Sequence, residues 1–525
     1  MADFQPDTQQ GNEAVSRRQW AAIIGGLLGG FMAVLDIQIT NSSLKTIQGA
    51  LSASMDDSSW LMTAYFTAEI IAIPLCGWLS RALGTSRYAQ WCIILFIIAS
   101  LSCAFSWNLT SMIIFRALQG FSGGGLIPIA FRLIIELLPQ KKRPMGMAMF
   151  SVLATFAPAI GPALGGYLTD HLSWRALFYI NLPPALLAMA LIDYGTRRPK
   201  INWQIIRQGD VGGILCSILW LGCLEVVLEE GRHFGWLDSS LIITLSTLSF
   251  CGFLGFILSE ITHAQPLINI KLLSIPGFTS GCILFVIFGA AVYGTLFLVP
   301  YYLTLIYNYN SSQIGSVIIW MGLPQLLLLP FIPSLTRIFN LKYLVGFGFA
   351  MLGLSSFMDC MMSIDFAGPQ IKLSLFIRAL GQPFIMVPLS MLTTRHINSQ
   401  DSASSAVIIN VFRSLGGSCG TAIFTTLFVS QSWGNARQIQ SVIPSTSTGF
   451  DYFRTQITGR LIQYGYTYGS DTPLKTVYTV LQQKITQQAE IISFNMLFFS
   501  MGCLMCSGIF ISLFLDKKFT IFNSR

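Results

Sequence analysis

Charged residues are scarce in this 525-residue chain: Asp, Glu, Lys and Arg make up 10% of the residues, whereas 53% are hydrophobic. A soluble globular domain carries about 25% charged residues, because its surface must stay hydrated. The scarcity of charge therefore excludes a soluble enzyme, a secreted protein and a nucleic-acid-binding protein. It predicts a protein that crosses a membrane several times.

Histidine and metal-binding motifs are also lacking. The chain has four histidines and 11 cysteines, and no C-x-x-C pair lies near histidines with metal-ligand spacing; Cys503 and Cys506 lie in one hydrophobic helix. All the cysteines lie in apolar runs, where they are typical small buried residues. Because the sequence has no nucleophile elbow or paired acidic metal motif, we expect neither an enzyme nor a bound cofactor. The first 20 residues are polar and lack a small-residue cleavage site after an apolar run, so no removable signal peptide is predicted.

Long apolar runs dominate what is present. Fourteen runs are long enough for a helix to cross a bilayer core, which takes about 20 residues. The strands of a membrane barrel need only about 10 residues of alternating pattern, so these lengths favour helices. We predict an all-α polytopic membrane protein with helices at approximately 20–42, 58–79, 88–107, 110–136, 144–169, 174–195, 210–229, 238–259, 277–307, 313–335, 341–362, 371–394, 402–430 and 490–515.

The basic residues indicate the orientation of the chain. With a cytoplasmic N-terminus, the cytoplasmic connections and both tails (1–19 and 516–525) hold 18 Lys and Arg residues, whereas the short opposite connections hold 4. Cytoplasmic loops of membrane proteins carry such an excess of basic residues. The distribution predicts a multi-pass protein of the cytoplasmic (inner) membrane with both termini in the cytoplasm, and it accounts for the net charge of +8.

A short internal repeat indicates two related halves. Residues 115–120 (FRALQG) resemble residues 377–382 (IRALGQ), which lie in the fourth and twelfth predicted helices. Many transporters consist of two such repeats. We therefore predict six-helix halves at 20–200 and 276–515, with two inserted helices at 201–275. The second half contains a long external loop, 431–489, which is either a docking surface for an extracytoplasmic partner or a solvated lid or loop. Stretches of it such as 476–488 are candidate helices.

Charges inside apolar runs mark candidate functional residues, because each costs about 2.5–3.5 kcal/mol to insert. Asp36 and Arg116 are predicted to pair, since at ~1.5 Å per residue both lie at the same depth below the outer boundary. An aspartate beside an arginine stays ionised, whereas burial or loss of that partner favours protonation. The pair is therefore either a proton-coupling site or a static ion pair.

Other charged residues are weaker candidates. Glu69, near the middle of the second helix, is a candidate for binding a cationic substrate, for holding a second proton, or for hydrogen bonding as a neutral acid. Glu225 lies toward the outer end of the first inserted helix, where snorkelling toward the lipid surface competes with a functional role. Arg132 and Glu136 have the spacing of a local i,i+4 pair near the cytoplasmic face.

The second half adds polar residues to the predicted transport path. Asn410 and Arg413, in the thirteenth helix, are expected to face Asp36 and Glu69 across a central cavity. Arginines in apolar runs allow an anionic ligand, whereas the deep acids allow a cationic one. The charges alone leave the sign of the substrate open.

Glycine and proline cluster in the fifth helix. Small residues let helices approach closely, and a proline removes one backbone hydrogen bond. The cluster predicts a hinge or a tight packing seam that faces the eighth helix or the other half. Its members within residues 157–166 are Pro158, Gly161, Pro162, Gly165 and Gly166.

Residues 77–87 (GWLSRALGTSR) form a turn with two basic residues at the cytoplasmic end of the second helix. The segment resembles the loop motif of the major facilitator superfamily and matches it at Gly77, Gly84 and Arg87, with Arg81 as the other basic residue. Ser80 stands where that family usually has Asp, so the usual charge-relay gate is altered here.

Further motifs, in order along the chain, resemble the fourteen-helix drug:proton antiporters of the EmrB/QacA type in that superfamily. The match runs in register over almost the whole chain, including the inserted helices and the long loop. The matching segments are Leu35-Asp36 with Asn41 in the first helix, Arg116 with Gln119 and Gly120 in the fourth, Gly161-Pro162 with Gly165-Gly166 in the fifth, 174–183 before the sixth, and Asn410 with Arg413 and Gly416-Gly417 in the thirteenth.

The resemblance implies a secondary active exporter of amphipathic or toxic compounds driven by inward proton flow. It implies proton coupling by Asp36 and Arg116, to which we add Glu69. In Gram-negative bacteria such exporters work with a membrane-fusion adaptor and an outer-membrane channel. A dedicated exporter of an endogenous metabolite such as a siderophore, or a transport-inactive sensor, are the alternatives. The residues expected to line the substrate cavity are Gln119, Asn41, Asn410, Arg413 and Arg378.

Overall fold

The computed structural model describes residues 15–139, 141–196, 201–263, 266–328, 330–395, 397, 401–442, 448–463 and 471–514. Within these ranges all regular secondary structure is helical. Fourteen helical segments of this described part are long and apolar enough to cross a membrane, which confirms the predicted architecture. They are α1 (Arg17–Ser42), α2 (Trp60–Leu83), α3 (Thr85–Ala104), α4 (Leu109–Leu137), α5 (Arg143–His171), α6 (Ala176–Gly195), α7 (Val211–Glu230), α8 (Ser240–Thr262), α9 (Pro276–Tyr307), α10 (Ser311–Leu328), α11 (Leu341–Met361), α12 (Gly368–Thr393), α13 (Ser404–Val442) and α14 (Thr476–Leu513).

Polar caps fix where several of these helices begin. Ser16 Oγ accepts a hydrogen bond from the N–H of Gln19 (3.2 Å), and Gln19 Oε1 accepts one from the N–H of Ser16 (2.8 Å). Asn108 Oδ1 caps α4 in the same way by accepting from the N–H of Ser111 at 2.7 Å. Such caps satisfy donors that have no partner inside the helix. Because Asn108 starts a new helix, α3 ends at Ala104 and not at the predicted 107.

The largest departure from the sequence prediction concerns the loop at 431–489. Helix α13 continues to Val442, α14 begins at Thr476, and a shorter helix, Thr448–Gln463, lies between them. The described part of this segment is therefore mostly helical. The Gln, Ser and Thr residues of this segment are too polar for its hydropathy to indicate a membrane helix. Helices nevertheless form there, because an α-helix satisfies its own backbone hydrogen bonds without a lipid environment. Asn435 Nδ2 donates to Ser493 Oγ at 2.9 Å and joins α13 to α14.

The first six and the last six helices pack in the same order. Helix α1 packs against α4, α5 and α6, and α3 packs against α4 and α6. In the second group α9 packs against α12, α13 and α14, and α11 packs against α12 and α14. The two groups meet along two seams, α5 with α10 and α2 with α13. These contacts place any central cavity between α1 and α2 on one side and α9 and α13 on the other.

The helical bundle has two ends, which differ in the parts of the chain that lie there. An even number of crossings returns the chain to the face on which it begins. The tail face is where α1 begins and α14 ends; the loop face is the opposite one, beyond which the described residues of the 431–489 segment extend.

Helices α7 and α8 pack mainly against each other, and α7 also contacts α2 and α13. The pair is joined by Trp220, whose ring lies 4.9 Å from that of Phe253 and whose carbonyl accepts a hydrogen bond from Ser249. The inserted pair thus covers the α2–α13 seam, where the two halves of the molecule meet.

The glycines of α5 allow close packing against α1 and α10. A Cβ atom at Gly161 would lie 2.3 Å from Gln38 Cβ, and one at Gly165 would lie 2.7 Å from the Ile39 carbonyl oxygen. At Gly166 the nearest atom is Ser311 Cβ in α10, at 2.9 Å. The predicted seam is present and faces α1 and the other half. The alternative prediction, that the seam faces the eighth helix, is wrong, because α8 lies at the α2–α13 seam. Pro158 and Pro162 lie within α5, which continues through both as one helix.

We expect Gly165→Ala to lower the melting temperature of the purified protein by several degrees. The added methyl group would press on the backbone of α1, which cannot rotate away, and overpacking of this kind costs about 1–3 kcal/mol. Gly434→Ala is the matched control, because no atom lies within 4 Å of a Cβ built there. Thermal unfolding in detergent measures both; equal melting temperatures for the two variants would contradict the proposed seam.

Candidate functional site

Asp36 and Arg116 form a fully buried ion pair. Arg116 Nη1 lies 2.6 Å from Asp36 Oδ2, and neither side chain has any exposed surface. The other carboxylate oxygen, Oδ1, accepts hydrogen bonds from Gln119 Nε2 (2.9 Å) and Asn181 Nδ2 (2.6 Å). Depth along the helices predicted this contact, and the structure brings the two charges together. Four helices, α1, α4, α6 and, through Ser100, α3, contribute to the network.

Close packing of α4 against α2 determines the surroundings of Arg116. Gly120 and Gly124 allow this approach, since a Cβ atom at either position would lie within 2.4 Å of a carbonyl oxygen of α2. The Arg116 guanidinium therefore stacks on the ring of Tyr65, at 4.4 Å from the ring centroid, a cation–π contact. Its Nε and Nη2 atoms are buried without a hydrogen-bond partner. Arg116 is therefore a buried cation with unused hydrogen-bond donors.

Arg378 occupies the corresponding position in α12 but has different partners. Its Nε donates to Ser355 Oγ (3.0 Å), its Nη2 to Ser356 Oγ (2.8 Å), and its Nη1 to Thr295 Oγ1 in α9. No carboxylate among the described residues forms a salt bridge with it. The internal repeat therefore conserves a buried arginine, while the ion pair is present in the first half alone within the described chain.

A cavity of about 690 Å³ lies between the two halves. It is lined by α1, α2, α7, α9 and α13, and it extends from Glu69 to Ser59 and Arg232 at the loop face. On the tail face the halves are in contact: Gly77 packs against Val407, and Arg337 Nη2 donates to the Lys141 carbonyl oxygen at 3.1 Å. The cavity is therefore closed toward the tail face.

Glu69 is the acid at the inner end of this cavity. Its side chain is 7% exposed, and none of the hydrogen bonds among the described residues ends on its carboxylate. The guanidinium groups of Arg413 and Arg116 act on it electrostatically from the protein side. Glu69 is therefore a buried acid with free acceptor capacity that faces open space, as a group that binds a cation or a proton requires.

The predicted cavity residues divide into two groups. Asn41 lines the cavity, with Gln38 beside it in α1. Gln119 and Arg378 are fully buried, and each is bonded within its own half, not to the cavity. Both residues lie at a suitable depth in the bundle, but each is on a helix face that points into its own half and away from the cavity.

Asn410 and Arg413 are buried neighbours on α13. Arg413 Nη2 donates to Asn410 Oδ1 at 3.4 Å, and Asn410 Nδ2 donates to the Ala406 carbonyl oxygen at 2.8 Å. Arg413 Nε has no partner. The Arg413 guanidinium acts electrostatically on Glu69, whereas Asn410 is bonded to its own helix. Neither residue is among those that line the cavity, where both were predicted to lie.

The acids of α7 were missed or undervalued by the sequence analysis. Glu225 was expected to compete for the lipid surface; instead it is 1% exposed and accepts a hydrogen bond from Ser418 in α13 at 2.6 Å. This expectation was wrong because α7 packs against the α2–α13 seam. Glu229 and Glu230 line the cavity. Asn181 was also missed as a site residue, although the motif at 174–183 that contains it gave a usable signal.

The turn between α2 and α3 joins the two helices at the tail face. Gly84 has a φ of 85°, which a residue with a side chain rarely adopts. Arg81 Nη2 donates to the carbonyl oxygens of Pro266 (3.2 Å) and Leu267 (3.0 Å), which follow the inserted helices. Arg87 is half-buried in the first turn of α3.

Ser80 accepts a hydrogen bond from Arg132 on α4 in this turn. Arg132 also pairs with Glu136 at 2.5 Å, as its i,i+4 spacing predicted. A serine thus replaces the usual aspartate as an uncharged acceptor, and the compensating negative charge comes from Glu136.

Two groups of six helices around a central cavity, with a buried ion pair beside it, define a polytopic membrane transporter. A sequence model of the Major Facilitator Superfamily matches residues 26–421. The chain is 31% identical to the colistin resistance protein EmrB of Acinetobacter baumannii, over 96% of this chain and 97% of that protein. It is 29% identical to the multidrug export protein EmrB of Escherichia coli K12, over 93% and 92%.

Solved structures agree on the fold. The proton:xylose symporter XylE superposes with a TM-score of 0.55 over 95% of this chain and 96% of that one, at 14% sequence identity. The chain belongs to the Major Facilitator Superfamily and, within it, to the EmrB type. It is a multi-pass membrane protein.

Proposed function

We propose that the protein is a proton-coupled secondary exporter of several amphipathic compounds, with the central cavity as its substrate site. The observation that carries the proposal is the buried Asp36–Arg116 pair beside a cavity that ends on Glu69. The names of its relatives, a colistin resistance protein and a multidrug export protein, support the same activity. The proton gradient supplies the energy, and the proposal requires no cofactor.

Arg116 is the proposed link between proton and substrate. When Asp36 is ionised, its carboxylate holds the guanidinium by an ion pair. Protonation removes that attraction, and the free Nε and Nη2 atoms of Arg116 then favour the next acid within electrostatic range, Glu69. A cation bound at Glu69 would lose part of its attraction at that moment. Proton uptake and substrate release are thereby coupled at one arginine.

Alternating access requires the two halves to rock against each other, so that the α5–α10 and α2–α13 seams open at the loop face and at the tail face in turn. We propose that the structure represents the state closed at the tail face, with that face in the cytoplasm of the cell and the protein in the inner membrane. The described helical residues within 431–489 are then extracytoplasmic. Exposed aromatic residues among them, Trp433 and Tyr452, suit contact with an adaptor protein that leads to an outer-membrane channel.

An imposed proton gradient is expected to drive dye accumulation by proteoliposomes that contain the purified protein. Nile red (neutral) and ethidium (cationic) together test the breadth of the substrate range. With at least one of these dyes, the initial rate should fall at least tenfold when a proton ionophore collapses the gradient. A rate that is insensitive to the ionophore, or no transport of either dye, would contradict the proposed function.

A further inference from the structure

The inserted helix α7 contributes directly to the wall of the cavity. Its last residues, Leu228 to Glu230, line the space together with α2 and α13, and the following turn adds Arg232 and His233. An insertion that merely enlarges the bundle would lie against lipid. Here α7 covers the seam between the halves, so its side chains face whatever occupies the cavity.

The acidic residues of α7 are fixed toward this space by contacts with both halves. Glu230 Oε1 accepts hydrogen bonds from Ser59 Oγ (2.9 Å) and Thr63 Oγ1 (2.6 Å) on α2. Glu225, just over one turn deeper, is held by Ser418 on α13. Glu229 lies between them in sequence and is half-buried in the cavity wall. The helix therefore presents two carboxylates, those of Glu229 and Glu230, along one stretch of the cavity wall, while Glu225 is buried behind the wall.

These carboxylates retain unused acceptor atoms. Glu230 is 1% exposed, and its Oε2 atom has no hydrogen-bond partner; the same holds for Oε2 of Glu225. No hydrogen bond or salt bridge among the described residues ends on Glu229. A buried carboxylate oxygen without a partner is costly. Glu230 lines the open cavity, so its unpartnered oxygen points to a ligand that supplies positive charge.

The rest of the cavity wall suits an apolar cation. Phe66, Tyr293 and Phe297 line the same space, and aromatic rings attract large cations. The acidic residues of the wall are Glu69, Glu229 and Glu230. Its basic residues are Arg232, at the loop-face end, and His233. The balance of the wall is acidic and aromatic.

We propose that Glu229 and Glu230 of α7, together with Glu69, form a binding site for lipophilic cations, so that the inserted helix is part of the substrate site. This proposal rests on the proposed function, because it names the class of substrate that binds in the same cavity. Glu69 binds the cation at the inner end, and the α7 acids hold it near the loop face. Release then occurs between α2, α7 and α13.

Two size-matched ions of opposite charge test the site. Tetraphenylphosphonium and tetraphenylborate differ mainly in the sign of their charge. Their dissociation constants are measured by equilibrium dialysis with the purified full chain in detergent. The test variants are Glu229→Gln and the double variant Glu229→Gln/Glu230→Gln. Glutamine keeps an acceptor oxygen for Ser59 and Thr63, and thermal unfolding shows whether each variant remains folded. The control is Asp238→Asn, which removes the same charge from the α7–α8 turn outside the cavity.

The double variant is expected to bind tetraphenylphosphonium at least tenfold more weakly than the wild type, and Asp238→Asn to bind it unchanged. Glu229→Gln, which breaks no hydrogen bond, should show a part of the loss. Tetraphenylborate should bind no more weakly to either α7 variant. Wild-type affinity for tetraphenylphosphonium in the double variant, equal losses for both ions, or no binding by the wild type would overturn the site.

The transport of Nile red separates this proposal from the proposed function. If the wild type exports Nile red under a proton gradient while the α7 variants bind tetraphenylphosphonium normally, the exporter stands and the cation site falls. If no dye is exported but the binding losses appear, the cation site stands and the exporter falls.

Discussion

Asp36→Asn is expected to reduce proton-driven dye export by at least a hundredfold while the protein remains folded. The substitution keeps the size of the side chain and removes the group that takes up the proton. Asp36 accepts hydrogen bonds from three side chains on two other helices, so no nearby acid replaces it in that position. Export is measured in proteoliposomes under an imposed gradient, with the amount of inserted protein determined for each preparation.

A second measurement distinguishes coupling from a merely structural role. An exporter that exchanges substrate for protons releases protons when the substrate binds. In weakly buffered detergent solution, a pH-sensitive dye should report this release for the wild type and none for Asp36→Asn. Asp193→Asn is the matched control, because Asp193 accepts a hydrogen bond from Gln90 in the same half but lies outside the network. Normal export by Asp36→Asn would refute the assignment.

The sequence was sufficient to predict the helices and the ion pair. Apolar length is the dominant requirement for crossing a membrane, so 14 spans could be counted directly. Charges at lipid depth are rare and must find partners, and equal depth identified Asp36 and Arg116. These predictions depend only on position along a helix axis.

Rotation about the helix axis could not be obtained in this way. Gln119 and Arg378 lie at plausible depths but point into their own halves, and Glu225 points inward where lipid exposure was expected. The direction in which a side chain points depends on which helices become neighbours. For α7 that neighbour is the α2–α13 seam, a long-range contact that no local pattern encodes. Residues 476–488 were a candidate helix, and the structure has a helix there. The continuation of α13 to Val442 and the helix Thr448–Gln463 were missed for a different reason, because they are too polar to resemble membrane spans.

Arg116→Gln is expected to destabilise the protein strongly and to abolish export. The variant leaves the Asp36 carboxylate buried without a cation, and breaking a buried pair in this way typically costs about 3–5 kcal/mol. The double variant Asp36→Asn/Arg116→Gln removes both charges and should regain much of that stability. It should nevertheless remain inactive, because it lacks both the carboxylate that binds the proton and the arginine that responds to its protonation.

The comparison of single and double variants isolates the interaction between the two residues. Unfolding free energies from denaturant titration in mixed micelles give a coupling energy for Asp36 and Arg116. The same cycle with Asp36→Asn and Arg378→Gln is the control, because Arg378 is equally buried but lies in the other half with hydroxyl partners. That cycle should be additive within about 0.5 kcal/mol. An additive Asp36–Arg116 cycle would show that the buried contact does not act as an ion pair. A stable and fully active double variant would show that the pair is structural, because the protein would then export without the group that binds the proton.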